Sequence, residues 1–411
     1  MGLLDGKRIL LGVGGGIAAY KTPELVRRMQ DAGADVRVML TSAAARFVSP
    51  LSLEVVSTHK VHTDLWATDP GGPDELPSPI VHTDIGQSVD LILLAPATAN
   101  LIGRIANGLA DDLLTTSVMA CKTPVLVCPA MNTDMLQNPL VQRNIALLES
   151  YERYTMLQPG VGLLACGVTG PGRMPDPPEI IEAAAAVLTP KRLRGLKVTV
   201  SAGPTREAVD PVRYLSNRST GTMGFALARA FAATGAEVTL VAGPVNLRTP
   251  VGVAERVDVV TAAQMKTAVF AAWPDTDMLV MTAAVADYRP AKPSDHKIKK
   301  GEDPQALPLE RTDDILASTA NAPGRIGKTV VGFAAESRDL ETYATGKLER
   351  KNLDWIVAND ISRPGLGFGK GDNAGILFGR EGVRVELPQS DKQDFAERIV
   401  AALIPSVRTD A

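Results

Sequence analysis

Only three cysteines, Cys121, Cys128 and Cys166, occur in 411 residues, and no two of them form a CxxC pair. This excludes a disulfide-stapled secreted scaffold and a thiolate zinc site, and it fits a reducing compartment. No apolar run approaches the roughly 18 residues needed to cross a bilayer. Met1 to Lys7 also lacks the basic-then-apolar layout of a signal peptide, so the expected address is the cytoplasm. Charge of one sign is missing too: 43 basic against 46 acidic residues leave a net −3. That balance points to neither nucleic acid nor a membrane as partner.

What is present is enough chain for two cores of roughly 150 to 200 residues each. Lys7 to Val13 is an apolar run that ends in Gly14-Gly15-Gly16 and passes into a helical pattern through Ala18, Leu25, Val26 and Met29. Further buried-strand runs are predicted at Val36–Leu40, Asp90–Ala95 and Pro124–Val127, with helical stretches between them. A Pro-, Gly- and acid-rich stretch from Thr68 to Pro79 reads as an exposed, mobile loop. After a helix predicted over Glu179–Leu188, the basic, proline-punctuated Thr189–Gly195 marks a boundary, giving domains 1–190 and 191–411. The second half restarts with a strand at Leu196–Ser201, the turn Ala202-Gly203-Pro204-Thr205, a helix at Met223–Ala233 and a strand at Glu237–Ala242. Later strands are predicted at Met278–Ala283, Thr329–Ala334 and Trp355–Ala358, with a terminal hairpin in Ala374–Leu387. Strands alternating with helices predict α/β architecture in both halves, two Rossmann-like domains built on mostly parallel sheets.

A glycine turn between strand and helix lets backbone N–H groups approach a phosphate at the positive end of the helix dipole. Spacing alone leaves Gly14, Gly15 and Gly16 open to that reading and to a purely steric one. A dinucleotide site would place Asp or Glu at the end of the second strand. This chain has Leu40-Thr41-Ser42 and Val241-Ala242-Gly243 there, and no GxxxxGK[ST] P-loop. Both halves therefore argue against an NAD dehydrogenase, while the Thr41 hydroxyl suits a single phosphate.

In the first half five pieces occur in order. They are the glycine turn with Thr41, then His82 eight residues before Asp90, then Ala95-Pro96-Ala97-Thr98-Ala99-Asn100, then Pro129-Ala130-Met131-Asn132, and last Ala165-Cys166-Gly167 followed by Gly170-Pro171-Gly172-Arg173-Met174. Together they resemble the flavin-binding cysteine decarboxylase family. The resemblance implies a flavodoxin-like domain that binds FMN through Gly14, Gly15, Gly16, Thr41, Ala97, Thr98 and Asn100, at a subunit interface of a trimer. It also implies His82 as acid/base group, Asn132 as holder of the substrate carboxylate and Cys166 as proton donor. Oxidising the substrate thiol with flavin places a thiocarbonyl β to the carboxylate, which supplies the electron sink that loss of CO2 requires. A neutral amide at Asn132 suits a carboxylate whose charge must depart. Leu136 stands after Met135 where peptide-cysteine decarboxylases carry tryptophan, which points away from a peptide substrate.

In the second half, Gly203-Pro204-Thr205-Arg206-Glu207, Asp210-Pro211-Val212-Arg213-Tyr214-Leu215-Ser216-Asn217 and Ser219-Thr220-Gly221-Thr222-Met223-Gly224 run into a helix. These segments, with Ala284-Val285-Ala286-Asp287-Tyr288, Lys297-Ile298-Lys299-Lys300, Gly332-Phe333-Ala334-Ala335-Glu336 and Lys351-Asn352-Leu353-Asp354, resemble phosphopantothenate-cysteine ligases. The resemblance implies that 4′-phosphopantothenate is activated by CTP, with Mg2+, as an acyl-cytidylate that the cysteine amine attacks. It assigns Lys297 to a flap as the catalytic cation and Asn217 to the acyl-cytidylate. Thr282, Ala283, Asp287, Lys297, Asp314, Ile315, Phe333, Lys347 and Lys351 fall in the CTP site. Thr312-Asp313-Asp314-Ile315 replaces the family's frequent Asn-Pro-Asp-Ile. No metal-ligand spacing is visible. The implied assembly is a homo-oligomer of decarboxylase trimers and ligase dimers, up to a dodecamer.

Blander readings accompany each piece. The VHTD sequence occurs twice, at Val61–Asp64 and Val81–Asp84, and a lone histidine is commonly a surface residue. Cys121 and Cys128 read as buried hydrophobes, Asn132 as a helix cap and Lys297–Lys300 as a solvated charge run. The rival functions are a flavin prenyltransferase or peptide-cysteine decarboxylase fused to an unrelated domain, and a flavin-binding regulatory subunit without activity.

Overall fold

The structure is a computed structural model that describes residues 2–66, 81–300, 306–336, 340–360 and 371–406. The Thr68–Pro79 loop lies outside the described residues. The chain divides into two compact units, Met1–Thr189 and Pro190–Ala411.

In the first unit, strands β1 (Arg8–Val13), β2 (Asp35–Leu40), β3 (Val61–His62), β4 (Leu91–Ala97), β5 (Val125–Pro129) and β6 (Tyr154–Met156) form one parallel sheet in the order β3-β2-β1-β4-β5-β6. All seven residues of β4 and all five of β5 are buried, as expected of strands covered on both faces. The covering helices are α1 (Thr22–Asp31), α2 (Pro50–Ser57), α3 (Val81–Ser88), α4 (Ala99–Ala106), α5 (Leu113–Met119), α6 (Thr133–Gln137), α7 (Pro139–Glu149) and α8 (Pro177–Leu188). A separate antiparallel hairpin, β7 (Gly160–Leu163) and β8 (Thr169–Arg173), stands off the sheet.

The second unit builds a sheet from β9 (Lys197–Ala202), β12 (Glu237–Ala242), β13 (Glu255–Asp258), β14 (Met278–Met281), β17 (Thr329–Glu336) and β18 (Trp355–Asp360). The antiparallel strands β19 (Asn373–Gly379) and β20 (Arg384–Ser390) extend it, giving the order β13-β12-β9-β14-β17-β18-β19-β20. Two small ribbons, β10 (Arg206–Ala208) with β11 (Tyr214–Ser216) and β15 (Tyr288–Pro290) with β16 (Leu309–Arg311), lie apart from this sheet. Helices α9 (Thr222–Ala233) and α13 (Lys392–Leu403) pack on one face, while α10 (Ala262–Ala272), α11 (Ile315–Thr319) and α12 (Leu340–Arg350) contribute to the core on the other. The alternation along β14 shows the division: Met278 and Val280 join the Phe231–Phe395 core, and Leu279 and Met281 join the Trp273 core.

Strand ends lie within two residues of the sequence-predicted ones, apart from the terminal hairpin, which runs three residues past Leu387 to Ser390, and the shifts at C-terminal ends come mostly from strands running further into their loops. Strand β4 continues through Pro96 to Ala97, and β17 through to Glu336. In both sheets the chain reverses its direction of winding next to the first strand, between β1 and β4 and between β9 and β14. Doubly wound sheets bind ligands beyond the C-terminal strand ends at such switch points.

Candidate functional site

At the first switch point the main chains of two loops touch. The Gly14 N–H donates to Pro96 O at 3.0 Å, and a Cβ at Gly14 would sit 2.5 Å from that oxygen. The approach therefore requires glycine here. The turn leads through Gly16 into a 3-10 helix, Ile17–Lys21, that continues as α1. Its first N–H groups have no partner within the helix, so the loop can serve as an anion cradle. The Thr41 hydroxyl donates to Val13 O (3.2 Å) and accepts from Ala44 N (3.2 Å), so it braces the adjoining turn. Thr98 caps α4 by accepting from Leu101 N at 3.3 Å.

These loops line a cavity of about 690 Å3. Gly14, Gly15, Gly16, Thr41, Thr98, Asn100, Asn132 and Cys166 all lie on its wall. Ala97 is fully buried and does not line it, and neither does His82, which is half-buried on α3. The volume is that of an ordinary cofactor site, and its wall combines the glycine turn and hydroxyls with apolar Met131, Leu163 and Met174.

Asn132 and Cys166, 34 residues apart, meet because the β7–β8 hairpin docks on the segment leading into α6. Met131 N donates to Gly172 O (3.0 Å) and Thr133 Oγ1 to Pro171 O (2.9 Å). Gly172 has φ +133°, and a Cβ there would fall 2.1 Å from Met131 O. Asn132 is indeed the N-cap of α6, its Oδ1 accepting from Asp134 N at 2.8 Å and Met135 N at 3.4 Å. The cap settles which way the amide faces, and Nδ2 then donates to Cys166 Sγ at 3.3 Å. Cys166 is exposed at the hairpin tip. The Val168 N–H and then the Asn132 amide hold its thiol below the ordinary thiol pKa. Cys121 and Cys128 are buried, and burial pushes Cys128 well up.

Two wall residues escaped the sequence reading. Arg104 of α4 pairs with Asp111 and, at 2.7 Å, with Asp112, which itself caps α5; Arg104 and Asp112 both face the cavity. The acid pair Asp111-Asp112 ahead of an apolar helix was the available signal.

At the second switch point the ends of β9 and β14 hold two loops together. Thr205 N donates to Ala284 O (3.3 Å), Ala284 N to Gly203 O (2.9 Å) and Ala286 N to Thr205 Oγ1 (3.0 Å). Asn217 Nδ2 reaches across to Ala284 O and Val285 O, each at 3.1 Å, so Asn217 sits on the 284–286 loop. Thr282 Oγ1 donates back to Ser201 O at 2.6 Å, and Ala283 N to Ser201 Oγ at 3.2 Å. Thr312 N donates to Asp287 O at 3.0 Å, which places Asp287 beside Thr312-Asp313-Asp314.

Asp314 caps α11 through Ala317 N (2.9 Å) and pairs with Lys351 Nζ at 2.6 Å. Burial would raise its pKa, but the hydrogen bonds from Lys351 and Ala317 N outweigh that and hold it below the usual carboxylate range. Lys347, one turn before Lys351, donates to Phe333 O at 3.0 Å. The Ile315 side chain is buried in the core, so only its main chain is available to a ligand. Lys297 is exposed on the segment following β15. Thus Asp314, Lys351, Lys347 and Phe333 form one connected group, and Asn217 a second with the 284–286 loop. Among the described residues no group of three or more His, Cys, Asp or Glu side chains is placed to hold a metal, and no helix is long and apolar enough to cross a membrane.

The profile of the Flavoprotein family matches residues 2–189, and that of the DNA/pantothenate metabolism flavoprotein C-terminal domain matches residues 193–406. The Coenzyme A biosynthesis bifunctional protein CoaBC of Bacillus subtilis is 45% identical over 401 residues, covering 97% of each chain. The chain belongs to the family of coenzyme A biosynthesis bifunctional proteins. The Escherichia coli member of that family is 46% identical over 405 residues, covering 98% of this chain and 97% of its own. A crystal structure of a C-terminal domain from the family covers 53% of this chain and 97% of that domain at 37% identity, with a TM-score of 0.45.

Proposed function

We propose that this chain carries out two consecutive reactions of coenzyme A biosynthesis in the cytoplasm. Residues 191–411 join cysteine to 4′-phosphopantothenate at the expense of CTP, and residues 1–190 decarboxylate the resulting 4′-phosphopantothenoylcysteine to 4′-phosphopantetheine. The observation that carries the reading is the Asn132–Cys166 pair on the wall of the cavity that also takes in the Gly14–Gly16 turn.

Bound FMN supplies the chemistry of taking up electrons from the substrate thiol and returning them after CO2 has left. The chain's own residues do the rest. The glycine turn and the start of the Ile17–Lys21 helix hold the phosphate. Asn132, its orientation set by the cap, offers a neutral N–H to the departing carboxylate, and the acidified thiol of Cys166 delivers the closing proton. His82 lies off the cavity of its own chain, and we assign it to the site of a neighbouring subunit in a homo-oligomer of decarboxylase trimers and ligase dimers.

In the ligase half, the phosphopantothenate carboxylate attacks the α-phosphate of CTP and pyrophosphate leaves; the cysteine amine then displaces CMP from the acyl-cytidylate. Lys297, with Mg2+ accompanying CTP, neutralises charge at phosphorus. Lys347 and Lys351 hold the nucleotide, and Asn217 orients the acyl-cytidylate against the 284–286 loop. The test is mass spectrometry of the products formed from phosphopantothenate, cysteine, CTP and Mg2+, with ATP replacing CTP in a parallel reaction. Phosphopantetheine from a yellow protein with CTP is the expected result. Phosphopantothenoylcysteine as the end product, from a colourless protein that takes up no FMN, would remove the decarboxylase half.

A further inference from the structure

Asp210 is a charged residue with a fully buried side chain that touches none of the groups assigned above. Its two oxygens are used differently. Oδ1 accepts from Val212 N and Arg213 N, both at 2.8 Å, and so shapes the turn after β10. Oδ2 accepts from Arg213 Nε (3.0 Å) and Nη2 (2.5 Å), and from Ile298 N at 3.1 Å. Arg213 Nη2 also donates to Ile298 O at 2.8 Å. Both main-chain polar groups of Ile298 are thereby held by one carboxylate–guanidinium pair. Four residues earlier, Ser294 N donates to Val209 O at 2.9 Å, so the segment carrying Lys297 is tied down on each side of it.

We propose that Asp210 and Arg213 form a latch that docks residues 294–298 and sets the position of Lys297 for amide formation. The proposal rests on the reading of Lys297 as the catalytic cation. Asp210 and Arg213 are positioning residues: they fix the main chain next to Lys297 and leave its exposed ammonium to the nucleotide. Two guanidinium N–H groups converging on Oδ2, with the main-chain donors on Oδ1, suit this task because they fix orientation as well as distance, and a buried carboxylate that lost its partners would be strongly unfavourable. Without the latch Lys297 keeps its charge but loses its place, and loss of orientation is expensive in rate.

The test uses the full chain. Asp210→Asn retains an oxygen for the Val212 and Arg213 N–H groups but turns an NH2 toward Arg213 and Ile298 N, so the turn is kept and the latch is cut. The expected result is a fall of about 100-fold in kcat for amide formation, with KM for CTP changed less than about threefold. Decarboxylation of supplied phosphopantothenoylcysteine is unchanged, and trypsin cleaves faster at Lys297 to Lys300. Because the latch works only through Lys297, Asp210→Asn combined with Lys297→Gln is no slower than Lys297→Gln alone. Arg213→Lys, which keeps the charge but loses the fork, gives an intermediate loss and serves if Asp210→Asn does not fold. An unchanged kcat in Asp210→Asn overturns the latch, as does a double variant well below Lys297→Gln. Normal ligation by Lys297→Gln instead overturns the reading of Lys297, and it leaves faster trypsin cleavage of Asp210→Asn as the separate sign that the docking is real.

Discussion

Asn132 divides one amide between structure and chemistry: Oδ1 closes the N-terminus of α6 while Nδ2 faces Cys166. The helix-cap reading and the functional reading of this residue are therefore compatible, and the first enables the second. Asn132→Asp keeps the capping oxygen, so helix stability should change little, but it replaces the donor with a negative charge. That charge disfavours the thiolate, so the Cys166 pKa rises back toward the ordinary thiol value. The midpoint of iodoacetamide alkylation against pH should shift upward, and decarboxylation should fall about 100-fold. An alkylation profile unchanged from that of the parent chain would remove the amide from the site. Cys166→Ser should still release CO2 but accumulate the oxidised enethiol, since a serine hydroxyl is a far weaker acid than the acidified thiol. Full phosphopantetheine yield from that variant, measured by mass spectrometry, would rule out the thiol as proton donor.

The β7–β8 hairpin is the element that completes the first cavity, and its hold on the rest of the unit runs through few bonds. Met131 N to Gly172 O and Thr133 Oγ1 to Pro171 O fix it against the start of α6. Gly172→Ala would drive a Cβ to 2.1 Å from Met131 O in a conformation that costs on the order of 1–3 kcal/mol for other residues. The hairpin should shift and withdraw Cys166 from Asn132. We expect FMN binding, read by absorbance, to survive while decarboxylation is lost; an active variant would show that the hairpin's exact seat is immaterial. A second device recurs in both units. Asp90, Asp277 and Asp354 each precede a strand and accept from an N–H at the start of the strand beside it: Arg8 N at 2.8 Å, Lys197 N at 2.8 Å and Val330 N at 2.7 Å. The resemblance between the halves is thus one of construction.

At the scale of the molecule the two units, Met1–Thr189 and Pro190–Ala411, hold reactions whose order along the pathway is the reverse of their order along the chain. We assign His82, which does not line the cavity of its own chain, to the site of a neighbouring copy. If a neighbouring subunit supplies it, mixing His82→Asn with Cys166→Ser, neither of which yields phosphopantetheine alone, should after dissociation and reassembly restore part of the phosphopantetheine yield, because some mixed sites receive both intact residues. No recovery across mixing ratios would place His82 elsewhere.

The strands and the glycine turn were legible from sequence because a parallel sheet buried on both faces demands continuous apolar runs, and a close main-chain approach such as Gly14 to Pro96 excludes a side chain. The ends of strands were less so, because pairing with a neighbour carries a strand on through residues such as Pro96 and Ala97. Sequence motifs also determined the family resemblance and named the two partners Asn132 and Cys166. Only the tertiary structure decided that the first points its donor at the second, that Arg104 and Asp112 share their cavity, and that His82 does not. It alone brought Asp210 to Ile298, 88 residues away. The physical reason is the same in each case: periodicity and turn chemistry act over a few residues, whereas the direction of a hydrogen bond and the sharing of a wall depend on which distant segments the fold brings together.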